Sequence, residues 1–349
     1  MHDVLFISVE TDTLIRTLLL GFLGFLVSML ITPVYTTLAY RWQWWKKPRT
    51  TATTGEKATV LMSLHGDKYK KRRIPTMAGA IFVVATVVVT VLFNLSREGT
   101  WLPLAAFLGA AGVGLLDDFI NIRGNGTGVA GLRGKIKLAL TTLVAFVGGL
   151  FFYFKLDVNS IHVPLIQTSW EIGWLIVPLF VLVVVATANA VNISDGEDGL
   201  AGGLTSTAFG VYAVIAMFEG RFAVAGFCLT IVGTLLSYTW FNIPPARFFM
   251  GDIGSFALGT ALGVVAMITD TVLLLPVIGI VFVVEAGSSA IQILSKKMRH
   301  GKKVFKIAPI HHHFEASGWP ETKVTMRFWV IGQVAGVLGL IIFLLGRYV

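Results

Sequence analysis

Residues 101–118 read WLPLAAFLGAAGVGLLDD, an apolar run that ends in the adjacent carboxylates of Asp117 and Asp118. A helix that crosses a bilayer core needs about 20 predominantly apolar residues, so this stretch predicts a membrane span. The two acids mark the point at which that span reaches one membrane surface. Similar apolar runs, separated by short polar connections, continue on both sides of it.

Composition indicates the same class of protein. The chain has 349 residues, of which 55% are hydrophobic and 13% charged, and its mean hydropathy is +0.78. A soluble protein of this size needs more polar residues to cover its surface. We therefore predict an all-α, polytopic integral membrane protein with about ten transmembrane helices, forming a single domain over 1–349. The predicted spans are 14–40, 77–93, 101–116, 137–154, 171–190, 200–217, 222–241, 253–268, 271–293 and 327–346.

Lysine and arginine are unevenly distributed between the connections. Cytoplasmic connections of membrane proteins carry the excess of positive charge, which predicts that the lysine-rich gaps are cytoplasmic and that both termini are extracytoplasmic. Anionic lipid headgroups and an anionic cytoplasmic substrate then explain the net charge of +9 without a nucleic acid partner. The rich gaps are 41–76, 117–136 and 294–326, and the intervening gaps offer only Arg97, Lys155 and Arg221.

The acidic and histidine clusters all fall on the predicted cytoplasmic side. Polar groups are scarce in this chain, so clusters that share one membrane surface suggest a single catalytic site. The clusters are Asp117–Asp118, Asn189–Asp198, Phe249–Asp252 and Pro309–Glu315.

The aspartates suit metal-assisted chemistry. Adjacent carboxylates repel each other and point about 100° apart on a helix, so one of Asp117 and Asp118 could bind a metal or lysine while the other handles a proton or attacks phosphorus. A solvated helix terminus is the structural alternative. Asp252, between two glycines, could be a hard oxygen ligand for magnesium, with a helix N-cap as the alternative.

The Asn189–Asp198 stretch could read the edge of a nucleobase or sugar. Asn189, Asn192, Asp195 and Asp198 recur at every third position, which places them on one helical face or one side of a loop. A capped helix–loop–helix connection is the alternative. Glu197 falls outside this spacing and is expected to face elsewhere.

The histidines and lysines are weaker signals. His311, His312 and His313 cannot share one helical face, and they lack the spacing of a zinc motif. At most one or two of them are therefore expected to contact phosphate or relay a proton. Most of the basic residues satisfy topology, and those best placed to clamp a diphosphate are Lys71, Lys135 and Lys137.

Together the motifs resemble the polyprenyl-phosphate N-acetylhexosamine-1-phosphate transferase superfamily, and within it the phospho-N-acetylmuramoyl-pentapeptide-transferase family. The resemblance covers residues 75–315, and the His-His-His-Phe-Glu form is similar to the muramoyl branch. The motifs are Pro75–Gly79, Leu115–Phe119, Asn189–Ala201, Phe249–Ser255 and Pro309–Glu315.

The resemblance implies transfer of phospho-MurNAc-pentapeptide from UDP-MurNAc-pentapeptide to undecaprenyl phosphate, giving UMP and lipid I for peptidoglycan synthesis. It further implies a Mg²⁺ cofactor, a homodimer and a multi-pass location in the bacterial inner (plasma) membrane, with the active site on the cytoplasmic face. The implied catalytic residues are Asp117, Asp118, Asp252 (the magnesium ligand) and His311. The implied substrate-binding residues are Asn189, Asp195, Asp198, Asn242 and Phe249, with Lys71, Thr76, Lys135 and His312 beside them.

Three departures from the family pattern stand out: Ala78 replaces a common glycine, Asn121 stands where a lysine is frequent, and Glu197 replaces a usually apolar residue. Direct displacement and a covalent enzyme intermediate both fit as mechanisms. In the ninth predicted span, Pro276 and Gly279 could break the helix and open a groove to lipid.

Two other functions stay open. One is a polyprenyl-phosphate GlcNAc-1-phosphate transferase. The other is an ion-coupled membrane transporter, which the position of the acids at span ends and the absence of a visible sequence repeat disfavour.

Overall fold

Helices dominate the structure, a computed structural model that describes residues 11–45, 73–124, 131–164 and 168–348. Each of the ten predicted apolar stretches corresponds to a helix or, for 271–293, to a pair of helices. The all-α, polytopic architecture is therefore confirmed. The helices are α1 (Thr11–Arg41), α2 (Gly79–Phe93), α3 (Trp101–Arg123), α4 (Gly134–Leu156), α5 (Ile176–Ser194), α6 (Leu200–Phe218), α7 (Phe222–Asn242), α8 (Gly251–Ile268), α9 (Leu275–Ile278), α10 (Ile280–Met298), α11 (Ile310–Glu315) and α12 (Glu321–Tyr348).

Most of these helices are long enough to cross a bilayer. Among the described residues, eight helical segments pass by length and hydropathy, and the broken pair formed by α9 and α10 adds a ninth. The predicted number of about ten is reached only with α2, which has 15 residues and therefore a length of about 22 Å. The chain is a multi-pass membrane protein.

The break between α9 and α10 falls where proline and glycine predicted it. Pro276 lies in the first turn of α9, Gly279 ends that helix, and the two helices meet at an angle of 81°. Beyond the bend, α10 turns a stripe of polar residues inward and apolar residues outward. The buried stripe is Glu285, Ser288, Gln292 and Ser295; exposed residues include Ile291, Leu294 and Met298.

A short hairpin was not predicted from the sequence. Strand β1 (Ser160–Val163) pairs antiparallel with β2 (Thr168–Glu171), and Ser160 lies opposite Glu171. The predicted fifth span started at 171, whereas α5 begins only at Ile176 after a 3₁₀ turn. Strands of four residues are too short for their alternation to stand out beside the long apolar runs.

Helix α8 forms the centre of the bundle. Every residue of α8 except Asp252 is buried, and the helix packs chiefly against α3 and α5. Glycines permit this close packing: a Cβ at Gly259 would lie 2.6 Å from Ala188 Cα in α5. Small residues at such crossings let membrane helices approach closely when hydrophobicity cannot drive their association.

The crossing of α3 and α8 is the tightest of these contacts that bears on the predicted site. A Cβ at Gly114 would lie 2.2 Å from the Asp252 carbonyl oxygen, so no other residue fits without moving backbone. Gly114 precedes Asp117 by less than one helical turn. The close approach therefore brings the carboxylates of α3 beside the first turn of α8.

The bundle has two distinct ends, the aspartate end (defined by Asp117, Asp118 and Asp252) and the opposite end. At the opposite end Glu219 pairs with Arg221 (Oε2–Nε 3.2 Å) and with Arg347 (Oε1–Nη1 3.5 Å). Burial raises the pKa of Glu219 to about 7, although both arginines oppose the shift. A largely buried carboxyl at this end is therefore half protonated near neutral pH.

Helix α1 begins and α12 ends at the opposite end. Ser28 of α1 donates to the Thr234 carbonyl of α7 (3.3 Å), and Tyr35 donates to the Thr76 carbonyl (2.6 Å) near the aspartate end. The Arg347 pair with Glu219 places the end of α12 beside the end of α6. The first residue of α1 and the last residue of α12 thus lie on the same side of the bundle.

Replacing Gly114 by Ala should destabilise the protein. The added methyl group meets backbone in α8, and overpacking of this kind costs about 1–3 kcal/mol. Gly112→Ala is the matched control, because a Cβ at Gly112 meets nothing within 4 Å and alanine is the better helix former. Thermal unfolding in detergent should show a lower melting temperature for Gly114→Ala alone; equal melting temperatures would contradict the assigned crossing.

Protonation of Glu219 should make stability depend on pH. Its folded pKa of about 7 exceeds the unfolded value of about 4.3, so its contribution is complete below pH ~4.3 and is lost as pH rises through ~7. Glu219→Gln should remove this loss. Between about pH 5 and pH 8 the melting temperature of the variant should therefore fall less than that of the wild type. Each kcal/mol of difference in unfolding free energy corresponds to about 2–4 °C. Glu171→Gln, an exposed acid at the same end, should behave like the wild type.

Candidate functional site

Three aspartates lie together at the aspartate end. Asp117 and Asp118 are buried near the end of α3, and Asp252 is the second residue of α8. One carboxylate oxygen from each lies within 4.8 Å of the others. The predicted third span stopped at 116, but α3 continues to Arg123, so the pair sits inside the last turns of a helix. Three carboxylates this close repel one another unless cations intervene.

Lys137 of α4 supplies one such cation. Its Nζ lies 3.1 Å from Asp117 Oδ1 and makes a second, shorter contact with Asp252 Oδ2. Asp117 Oδ1 also accepts the N–H of Leu132 at 2.7 Å. Lys135, two residues earlier, is exposed. Of the two lysines at the start of α4, Lys137 is therefore the one that joins the carboxylates.

The predicted Pro75–Gly79 motif lies against this cluster. The Phe249 N–H donates to the Pro75 carbonyl (2.8 Å) and the Ala78 N–H donates to the Phe249 carbonyl (3.0 Å). Gly251 has a φ of +76°, and a Cβ there would lie 2.5 Å from Asp118 Oδ2 and 3.1 Å from Thr76 Oγ1. Glycine at 251 thus allows buried Thr76 and Asp118 to approach the same backbone.

Residues of the 189–198 stretch contact α8 and the loop before it. Asn192 donates from Nδ2 to Ser255 Oγ (2.8 Å), and Asp198 Oδ2 accepts the Ala246 N–H (3.0 Å). Asn189 bonds within its own helix, to the Val185 carbonyl (2.8 Å). Because α5 ends at Ser194 with Asp195 as its C-cap, the four regularly spaced residues do not share one helix.

Asn242 joins two segments of this region. Its Oδ1 accepts the Gly199 N–H and its Nδ2 donates to the Phe248 carbonyl, both at 2.9 Å. The buried amide is therefore engaged by backbone on both sides, which fixes the loop that presents Phe249. The Phe249 side chain is partly exposed.

Two of the three histidines lie together, with the ring centroids of His311 and His312 4.1 Å apart, while His313 has other partners. His311 is fully buried, and its Nδ1 lies 2.8 Å from Glu285 Oε2. His312 Nδ1 lies 2.8 Å from Glu315 and 3.3 Å from Glu197, whereas His313 accepts the Lys306 N–H. Burial lowers the pKa of His311 below its ordinary value, although Glu285 opposes the shift.

Sequence reasoning missed two buried acids at this site. Glu197 was expected to face elsewhere, but it is buried beside His312, and burial followed by the nearby Glu315 and Glu321 raises its pKa to about 11. No spacing rule signals it. Glu285 could have been found, because a lone acid inside a predicted span is by default a functional candidate.

The remaining predicted residue, Lys71, lies outside the described residues. All others from the predicted set are at the aspartate end, and five of them, together with the unpredicted Glu197, fall into two groups of potential metal ligands. Among the described residues these groups are Asp117, Asp118 and Asp252, and Glu197, His311 and His312.

Comparison with known proteins gives a consistent family. Residues 100–270 match glycosyl transferase family 4. The chain is 42% identical over 278 residues to a phospho-N-acetylmuramoyl-pentapeptide-transferase of Chloroflexus aggregans, with 76% of each chain covered. It is 40% identical over 285 residues to the enzyme of that name from Geobacillus thermodenitrificans, covering 78% of this chain and 85% of the other. With this identity over more than two thirds of its length, the chain belongs to the phospho-N-acetylmuramoyl-pentapeptide-transferase family.

Proposed function

We propose that the chain transfers phospho-MurNAc-pentapeptide from UDP-MurNAc-pentapeptide to undecaprenyl phosphate, giving lipid I and UMP. The observation that carries this proposal is the cluster of Asp117, Asp118 and Asp252 around Lys137 at one end of a bundle of membrane helices. A site at a membrane surface can receive a soluble nucleotide sugar and a lipid phosphate together. Carboxylates and one cation suit the transfer of a phosphoryl group between them.

The carboxylates fit a magnesium ion. Asp117 Oδ2 is buried and finds no hydrogen-bond donor among the described residues, and the three carboxylates outnumber Lys137. Magnesium is usually bound by one or two carboxylates together with substrate phosphate. We assign Asp252 as the protein ligand, with the other two aspartates beside it. When bound, the ion would neutralise charge on the diphosphate.

The chain's own residues then divide the work. Lys137, already paired with Asp117 and Asp252, holds a positive charge where the departing UMP phosphate gains negative charge. Asp117 would activate the undecaprenyl phosphate for direct attack, in which its oxygen attacks the phosphorus that bears MurNAc while the bond to the UMP oxygen breaks. A lipid phosphate is largely ionised near neutral pH, so deprotonation contributes little. We therefore favour direct displacement over a covalent enzyme intermediate.

The nucleoside and diphosphate would be held by the surrounding motifs. Asp195 and Phe249, both partly exposed, are suited to the uridine, while Asn242 positions the Phe249 loop through its two backbone contacts. His311 can contact phosphate or relay a proton. The further members of the proposed set are Asn189, Asp198, Thr76, Lys71, Lys135, Asp118 and His312.

The setting of the site is part of the proposal. The aspartate end would face the cytoplasm at the bacterial inner membrane, with residues 1–349 acting as one domain and the protein as a homodimer. The 81° bend at Gly279 would open a lateral groove to lipid. Crosslinking with a photoreactive polyprenyl phosphate tests the groove: labelling that never falls on residues 271–295 would remove it.

A polyprenyl-phosphate GlcNAc-1-phosphate transferase is the nearest competing function, and donor preference decides between the two. Purified protein with magnesium and undecaprenyl phosphate should release UMP from UDP-MurNAc-pentapeptide, and much more slowly from UDP-GlcNAc. The reverse preference would overturn the proposed donor. Absence of UMP release from both donors would instead favour the ion-coupled transporter.

Replacing Asp252 by Asn should nearly abolish turnover, because the amide keeps the shape of the side chain but loses the charge that binds the cation. We expect a fall in kcat of at least about 100-fold, comparable to the loss of one electrostatic contact to a transition state. Chelation of magnesium should have the same effect on the wild type and be reversible. Asp157→Asn is the matched control, since Asp157 is exposed at the opposite end in a left-handed conformation that asparagine tolerates. Retained activity in Asp252→Asn would reject the metal assignment.

A further inference from the structure

A second group of potential metal ligands lies apart from the three aspartates. We propose that Glu197, His311 and His312, together with Glu315, bind a divalent transition-metal ion such as zinc. This inference goes beyond the proposed function and does not depend on it. The sequence alone argued against a zinc motif, because no cysteines and no second spaced histidine pair accompany the histidines, and Glu197 comes from a segment more than 100 residues earlier.

The geometry of the group suits one shared ion. One ligand atom from each of Glu197, His311 and His312 lies within 4.8 Å of the others. His312 Nδ1 is 3.3 Å from Glu197 Oε1 and 2.8 Å from Glu315 Oε2. Small side-chain movements would let two carboxylates and two imidazoles converge on one point, a donor set within the range of zinc.

His311 is oriented as a metal ligand normally is. Its Nδ1 faces Glu285 Oε2 at 2.8 Å, and both side chains are fully buried. Its Nε2 has no hydrogen-bond partner among the described residues and lies against Gly196, where a Cβ would be only 2.4 Å away. A ligating histidine almost always gives its other ring N–H to a carboxylate, a backbone carbonyl or water. Glu285 would therefore hold the tautomer in which Nε2 carries the lone pair.

The charges around Glu197 also call for a cation. Glu197 is 5% exposed, its Oε1 lies 3.3 Å from His312 Nδ1, and Glu315 and Glu321 stand close enough to share a proton with it or, when ionised, to repel it. Buried carboxylates are costly unless a proton or metal neutralises them. A divalent ion would balance two of these carboxylates at once.

The donor set separates this site from the aspartates. Imidazole nitrogens suit zinc, iron, copper and nickel, whereas carboxylates with phosphate and water suit magnesium. We therefore expect the second site to retain zinc when magnesium is in large excess, and the aspartate site to remain available to magnesium.

The test is zinc binding to the purified full chain without nucleotide or lipid. After removal of metals with a chelator, zinc titrated by calorimetry in excess magnesium should saturate one site. Glu197→Gln and His312→Ala should each weaken binding by at least about tenfold, the smallest loss expected even for an outer partner. Glu285→Gln should weaken it to a similar degree. His313→Ala and Asp252→Asn are the controls and should bind as the wild type does.

The outcomes are distinct. Absence of a saturable site on the wild type, or unchanged affinity in Glu197→Gln, would overturn the proposal and leave Glu197 as a protonated acid. Equal weakening in His313→Ala would show nonspecific binding to the histidine segment and would also overturn it. If the variants fail to fold, cobalt added to the wild type should give the visible absorption of a nitrogen- and oxygen-ligated tetrahedral ion, and a spectrum of aqueous cobalt would contradict the site. A failed transferase assay would leave all of these readings unchanged.

Discussion

The contact between Gly114 and the Asp252 backbone is the constraint on which the candidate site depends. With no side chain at 114, α3 and α8 approach until the missing Cβ would be 2.2 Å from a carbonyl oxygen. That approach brings two carboxylates from one helix beside a third from another. Packing of small residues inside the membrane thus sets the distances available for chemistry at its surface.

Much of the fold could be predicted because a bilayer restricts the possible structures so strongly. Long apolar runs in lipid must satisfy the hydrogen bonds of their backbone groups by forming helices, so the spans could be predicted. The break near Gly279 could be predicted from Pro276 and Gly279. Other details depended on contacts that a sequence does not display. The β1–β2 hairpin is short, and α3 runs past Asp118 to Arg123.

Site residues could be predicted where their type is rare in this chain. They were missed where their role depends on contacts with a distant segment. The aspartates stood out as acids in an apolar chain, and the structure brings all three together. Choosing Lys137 over Lys135 required the rotation of α4 relative to α3, which spacing alone cannot supply. Glu197 gave no signal because its partners, His312 and Glu315, lie in a distant segment. The roles assigned to these residues remain predictions.

Helix α10 links the bend at Gly279 to the histidine segment. Gln292 accepts the N–H groups of Val304 and Phe305 and donates to the Phe305 carbonyl, while Glu285 holds His311. Hydrogen bonds from side chains of α10 therefore hold both the histidine segment and the residues that lead to it. A change in the tilt of α10, caused either by bilayer thickness or by a hydrocarbon chain bound at the bend near Gly279, would therefore also move the imidazoles.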